Sequence, residues 1–100
     1  MIVHPAARRE IAAAAAWYAE RSVPLGRRFR LAVAGALEDI EEAPSGFAKA
    51  HDEPAMQQAW VSGFPFRVVF FVRQSDGAAC VLSVHHARRR PGYWRARTLP

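Results

Sequence analysis

The sequence predicts an α+β fold in the order β-α-α-β-β-β, with a helical hairpin packed on a small antiparallel sheet. Between residues 5 and 43, apolar side chains recur every three or four positions, which is the period of an amphipathic helix. From residue 58 onward, short runs of β-branched and aromatic residues replace this period. Ser75-Asp76-Gly77 separates two such runs and is typical of a hairpin turn. A chain of 100 residues can build one hydrophobic core, so we expect a single domain over residues 1–100.

The first half predicts a short strand and two helices. Ile2 and Val3 suit a brief strand, and Pro5 stands where a helix can begin, because its missing N–H has no partner there. The residues from Ser22 to Pro24 interrupt the helical pattern and separate two helices, and Pro44 ends the second one. Two helices joined by so short a break form an antiparallel hairpin. The expected apolar stripes are Ala7, Ile11, Ala14, Ala15 and Tyr18 in the first helix, and Leu25, Phe29, Val33, Ala36, Leu37 and Ile40 in the second.

The second half predicts three strands, at residues 58–61, 66–73 and 79–85, after a loop at 45–54. The middle strand is apolar almost throughout, so we expect it to be buried on both faces, with the helices on one of them. Arg67 is the exception in this strand.

Composition and motifs exclude several classes of protein. The single cysteine, Cys80, allows no internal disulfide and suits a buried strand position in a reducing cytoplasm. No apolar run approaches the roughly 20 residues that span a bilayer, so we expect a cytoplasmic protein with no membrane partner. There is no Ser/His/acid set at recognisable spacing, no Gly-rich phosphate loop and no Cys/His metal pattern. We therefore expect no metal and no other cofactor.

The distribution of charge indicates a polyanionic partner. The formal net charge is +5, and thirteen of the fourteen basic residues are arginine, with Lys49 the exception. Residues 54–100 contain seven arginines and one acid, Asp76, whereas the first half is nearly neutral. Such asymmetry favours binding to nucleic acid or to an acidic protein segment. Arginine favours planar, two-pronged contacts to phosphate or carboxylate.

The strongest candidate for a binding site is the segment 85–97, which interleaves guanidinium groups with two aromatic rings. This combination suits phosphates and stacked bases. The alternative is an exposed basic tail in which Tyr93 and Trp94 fold back to cover the sheet. The candidate binding residues are Arg88, Arg90, Trp94, Arg95 and Arg97.

Arg67 is the second candidate. It could guard an exposed sheet edge against aggregation, or it could be presented on the open face of the sheet. We predict that it faces away from the helices, into a shallow concave surface shared with His86 or with the cluster from Arg88 to Arg90. At such a surface position, replacement by alanine would change stability by no more than about 1 kcal/mol.

Several motifs together resemble one known family. Residues 5–11 (PAARREI) are similar to its opening P-x-A-x-x-E-hydrophobic motif, and residues 63–70 (GFPFRVVF) to its G-F-P-[FY]-R-V-V-[FY] strand. Trp17, Tyr18, Leu25, Gly26 and Phe29 match its helix hairpin, and Pro44 the end of its second helix. Its V-x-H-x-x-R-x-P-x-Y-W-x-x-R ending is matched by Val84, His86, Arg89, Pro91, Tyr93, Trp94 and Arg97. The chain thus resembles the RelE/ParE superfamily of toxins, in its ParE-like plasmid stabilisation branch.

This resemblance implies a cytoplasmic toxin that arrests growth and is silenced by a cognate antitoxin. It leaves the target open. ParE-type toxins inhibit DNA gyrase by binding, whereas RelE-type toxins cleave mRNA on the ribosome without a metal. For RelE-type cleavage the resemblance implies Arg67 and Arg89 as phosphate-stabilising groups, with His86 or Tyr93 handling protons. The near absence of lysine favours the gyrase alternative. A non-toxic relic that retains antitoxin binding is the third possibility.

Overall fold

The computed structural model describes residues 1–97 of the chain. The elements are β1 (Ile2–Val3), α1 (Pro5–Arg21), α2 (Val23–Glu42), a short 3-10 turn (Pro44–Gly46), β2 (Lys49–Ala50), β3 (Glu53–Trp60), β4 (Phe66–Val72) and β5 (Ala79–His86). The expected α+β order is confirmed, with one short strand added: β2 lies where the sequence predicted only a loop.

Ser22 joins the two helices and satisfies backbone groups of both. Its N–H donates to the carbonyl of Tyr18 at 2.9 Å and closes α1, while its hydroxyl accepts the Leu25 N–H at 3.4 Å and caps α2. The helices then approach closely at Gly26, where a Cβ atom would lie 2.7 Å from the Cβ of Ala19. The predicted antiparallel hairpin is therefore present, and a glycine allows its tight packing.

The five strands form one sheet in the order β1-β5-β4-β3-β2. β1 pairs with β5 in parallel, and the other pairs are antiparallel. The pairing of β4 with β5 contains an irregularity between Val69 and Phe70. The two most apolar strands, β4 and β5, are therefore neighbours, and β4 is the central strand of the sheet.

Both faces of β4 are buried, also as predicted. Phe66, Val68 and Phe70 pack on the helix side, in one cluster with Phe29 and Ile40. On the opposite face, a second cluster consists of Val69, Leu82 and Trp94, with Met56, Phe71 and Tyr93 packed against it. The rings of Tyr93 and Trp94 therefore fold back over the sheet, as the alternative for this part of the chain predicted for these two residues.

The boundaries of β3 differ from the prediction. The strand begins at Glu53, whereas the sequence pattern indicated residues 58–61. Its first half pairs with β2 near the edge of the sheet and is exposed or half-buried, so it carries no apolar alternation that could reveal a strand. Neither α1 nor α2 is long and apolar enough to cross a membrane, and residues 1–97 contain no other α-helix.

Candidate functional site

The segment after β5, residues 87–97, runs across the open face of the sheet as a series of turns. We call it the C-terminal segment. Backbone hydrogen bonds from Arg95 to Gly92 and from Arg97 to Trp94, both 3.0 Å, hold these turns together. Gly92 has a φ of 72°, which a residue with a side chain rarely adopts. The segment thereby brings Trp94 down onto the sheet, where its side chain is fully buried.

Asp52 is the first of two carboxylates that hold this segment in place. It receives two hydrogen bonds from the Arg67 guanidinium, at 3.0 and 2.7 Å, and one from the Gly92 N–H at 2.9 Å. Gln58 Oε1 also accepts from Arg67, at 3.0 Å, and Arg95 Nη2 donates to the Asp52 carbonyl. The hydrogen bonds from Arg67 outweigh burial and lower the pKa of Asp52 to about 2. The carboxylate is therefore ionised at neutral pH and fixes β4 to the C-terminal segment.

Glu10 of α1 is the second carboxylate. It accepts from Arg97 at 2.8 and 3.0 Å, from the Val84 N–H at 3.1 Å and from the Tyr93 hydroxyl. Burial alone would raise the pKa of Glu10, but the hydrogen bonds from Arg97, Tyr93 and Val84 leave it below its ordinary value. Burial and the neighbouring Glu10 raise the pKa of Tyr93 instead. At neutral pH the phenol therefore stays protonated and donates to a charged carboxylate.

His85 lies between these two anchors. Its ring is buried, its Nδ1 lies 2.9 Å from the Ser83 hydroxyl, and its centroid is 5.1 Å from that of Tyr93. Burial and the nearby Arg67 charge lower the pKa of His85 to about 4. The imidazole is therefore neutral at physiological pH.

The predicted surroundings of Arg67 are wrong, although its face of the sheet is right. The side chain points away from the helices, on the face that carries Val69, but it is only 2% exposed and is held by Asp52. His86 does not share this surface. It pairs with Phe66 on the helix side, with the two rings 5.4 Å apart. Alternation along the strands separates the two residues, because neighbouring positions point to opposite faces.

Trp94 is buried, whereas stacking on a nucleic-acid base requires an exposed ring. Its ring is 0% exposed and packs on Val69 and Leu82. In this conformation it is part of the core, so no nucleic-acid base can reach it. Arg97 is only partly accessible and is engaged with Glu10, while the exposed Arg95 lies 3.5 Å from Glu53. Among the predicted binding residues, these three make contacts within the chain.

The remaining predicted residues are exposed and close together in sequence. We call residues 86–90 the basic turn: His86 Nδ1 accepts the Arg88 N–H at 3.0 Å, and the side chains of Arg88, Arg89 and Arg90 reach solvent. The Arg89 guanidinium lies 4.0 Å above the ring of Tyr93, a cation–π contact. Within residues 1–97, none of these three arginines makes an ion pair. Their charge is therefore available to an acidic partner.

An apolar groove lies beside the basic turn, between α1 and the strands. It has a volume of about 420 Å³ and is lined by Ala13, Ala14, Trp17, Tyr18, Phe66 and His86. A smaller hollow of about 200 Å³ shares Ala13, Phe66 and His86 with it and extends to Glu10 and Arg89. We call the two together the α1 groove. Its outer wall, Trp17, is 51% exposed.

Sequence reasoning did not identify Asp52 or Glu10 as parts of the site. Glu10 appeared only as a motif position, with no partner assigned. The signal for an anchor at Asp52 was Arg67 itself, because an arginine in an apolar strand requires a nearby acid. No group of three His, Cys, Asp or Glu residues within positions 1–97 could hold a metal ion.

A helical hairpin on a mostly antiparallel sheet is the architecture that the RelE/ParE resemblance implied. The sequence model described as "ParE toxin of type II toxin-antitoxin system, parDE" matches residues 1–91. The chain belongs to this family and is a ParE toxin of a type II toxin–antitoxin system, whose members pair with a cognate antitoxin. No curated protein matches the chain. The match ends before Tyr93, so the aromatic residues of the C-terminal segment lie beyond the matched part.

Proposed function

We propose that this toxin arrests growth by binding DNA gyrase, without breaking any bond itself. The observation that carries this proposal is the engagement of Arg67, the arginine that mRNA cleavage would require. Both of its Nη atoms already donate to the buried carboxylate of Asp52. A phosphate could bind this guanidinium only after the pair had been broken and the C-terminal segment had been displaced.

Of the other residues that cleavage would require, His86 and Arg89 line one hollow, but they do not share it with Arg67. His86 lies on the helix side of the sheet, whereas Arg67 lies on the opposite side. The Tyr93 hydroxyl stays protonated and donates a hydrogen bond to Glu10, so it is poorly suited to act as a general base. A nuclease needs its acid, base and phosphate-binding groups around one reacting atom. This arrangement favours the binding mechanism over RelE-type cleavage.

An assay with two purified targets tests the proposal. The toxin should inhibit supercoiling by DNA gyrase, in proportion to the concentration of folded toxin, and the added antitoxin should relieve the inhibition. In a parallel reaction with programmed ribosomes, the mRNA should remain intact. Ribosome-dependent mRNA cleavage with unaffected gyrase would overturn the proposal. Inactivity of the folded toxin in both assays would indicate the non-toxic relic.

We further propose that the antitoxin silences the toxin by laying the apolar side of an acidic, amphipathic segment into the α1 groove. Two features support this docking site. The groove is lined mainly by alanine and aromatic side chains, with Trp17 half-exposed at its wall. The basic turn lies at one end and would meet acidic side chains of the partner.

A pair of substitutions on α1 tests this docking site. Ala13 lines both parts of the groove, so Ala13→Arg should weaken antitoxin binding at least tenfold by filling it. Ala12 is also exposed on α1 but does not line the groove, so Ala12→Arg adds the same charge without the obstruction. Calorimetric titration with the antitoxin measures both. Equal affinities of the two variants would show that the antitoxin docks elsewhere.

A further inference from the structure

The outer face of α2 carries an apolar residue that none of residues 1–97 covers. Leu31 is 72% exposed, more than any other large hydrophobic residue among positions 1–97. It lies near the middle of α2, directly opposite the buried stripe of Phe29, Val33 and Ile40. One exposed leucine needs no explanation by itself. The residues beside Leu31 on the same face indicate that it belongs to a contact surface.

Gly35 is one turn beyond Leu31, and no contact with the described residues requires a glycine at this position. A Cβ atom there would meet nothing within 4 Å, in contrast to Gly26, which the helix hairpin requires. Glycine in the interior of a helix destabilises it relative to alanine by roughly 0.5–1 kcal/mol. Gly35 and the adjacent exposed Ala34 have no large side chain, so another molecule could approach the helix backbone closely here.

The charges on this face change sign from one end of the helix to the other. Arg27 and Arg28 are exposed before Leu31, and Glu38 and Asp39 are exposed after Gly35. Within residues 1–97, none of these four side chains makes an ion pair. The face is therefore basic, then apolar, then acidic over about 18 Å of the helix axis.

We propose that this face is a dimerisation surface, on which α2 of a second copy of the chain packs in the antiparallel direction. A two-fold axis near the middle of α2 brings Leu31 of each copy over Ala34 and Gly35 of the other. The same axis brings Arg27 and Arg28 of each copy alongside Glu38 and Asp39 of the other. The surface is thus complementary to itself, as a two-fold interface requires. A parallel pairing would oppose like charges at both ends of the contact.

The dimer leaves the α1 groove free, because no residue of α2 lines the groove. One helix face offers less area than the roughly 800 Å² per partner of a standard interface. We therefore expect a reversible dimer in the micromolar range, and one that high salt weakens because its charges are exposed.

Charge reversal in two separate variants tests the proposal. In sedimentation equilibrium the wild-type toxin should dimerise, whereas Arg27→Glu/Arg28→Glu should be monomeric, since both ends of its helix are then acidic. Glu38→Arg/Asp39→Arg should be monomeric as well, since the two substituted positions then repel Arg27 and Arg28 of the second copy. An equimolar mixture of the two variants should restore a dimer, because every contact then joins opposite charges.

A variant that had lost its fold could not form a dimer in the mixture, so restoration of the dimer shows that the variants are folded and that the contact is antiparallel. Thermal melting of each variant is a second check of folding. Leu31→Lys should abolish the dimer and leave the affinity for the antitoxin unchanged. A wild-type toxin that stays monomeric at high micromolar concentration, or two variants that remain monomeric when mixed, would overturn the proposal. So would loss of antitoxin binding in Leu31→Lys, because that result would assign this face to the antitoxin. None of these outcomes depends on whether gyrase is the target.

Discussion

The guanidinium of Arg67 and the carboxylate of Asp52 face each other in a two-pronged contact, with Nη–Oδ distances of 3.0 and 2.7 Å. Their side chains are only 2% and 5% exposed. The Gly92 N–H donates to the same carboxylate, so the pair ties β4 to the C-terminal segment above it. Removal of one partner from a charged pair buried to this degree strongly destabilises the fold, because the other charge is left without compensation. Arg67 therefore stabilises the fold, which corrects the expectation of an open phosphate-binding position.

Arg67→Ala should lower the free energy of unfolding by about 3–5 kcal/mol, because it leaves the Asp52 carboxylate buried without its partner. Urea denaturation measures the loss. Arg73→Ala is a matched control, since Arg73 also makes a two-pronged pair with an aspartate, Asp76, but an exposed one. The control should change stability by no more than about 1 kcal/mol. Equal, small effects of the two substitutions would mean that Arg67 is not a structural anchor.

The burial of His85 predicts that stability falls in mild acid. Its pKa is about 4 in the folded chain and about 6.5 when unfolded, so between these values the unfolded chain binds the proton more tightly. The stability is present above about pH 6.5 and is lost as the pH falls towards 4, by up to about 3 kcal/mol. Asp52 and Glu10, whose pKa values are lowered, add losses of the same sign at still lower pH.

Unfolding experiments across this pH range test the assignment with His85→Gln. The variant should show a flatter dependence of stability on pH between about 6.5 and 4, whatever its stability at neutral pH. An unchanged slope would mean that His85 is not the group that titrates.

Arg88 and Arg90 should contribute to antitoxin binding but not to the fold. Both are exposed, and within residues 1–97 neither makes an ion pair. The double substitution Arg88→Ala/Arg90→Ala should therefore change stability by no more than about 0.5 kcal/mol. The affinity for the antitoxin should fall, and its dependence on salt should become shallower. Arg8→Ala/Arg9→Ala, which removes two exposed arginines from α1, is the control. Equal losses of affinity in both double variants would argue against a specific role of the basic turn.

Tyr93→Phe separates the binding mechanism from proton chemistry. The substitution removes the hydroxyl that donates to Glu10, which retains its bonds to Arg97 and the Val84 N–H. The loss of stability should be about 1 kcal/mol. Growth arrest per folded molecule should be unchanged if the toxin acts by binding. Loss of arrest in a folded variant would indicate that the phenol takes part in chemistry.

The fold could be predicted because its signals are local. The helical period, the break at Ser22 and the turn at 75–77 each act within a few residues. The contacts of the site are not local: Arg67 meets Asp52 across 15 positions, and Arg97 meets Glu10 across 87. Single-sequence patterns specify which side chains need a partner, but not which partner the fold supplies. For this reason the sequence predicts the face of the sheet on which Arg67 lies, but not the buried carboxylate of Asp52 that holds it there.

The central claim, that the toxin inhibits gyrase by binding, is tested most directly by the first response of cells to its induction without antitoxin. If it is correct, a DNA-damage reporter should be activated while incorporation of labelled amino acids continues and the 5′ ends of mRNA remain intact. An immediate stop of translation, with new mRNA ends at codon positions and no damage signal, would contradict the account.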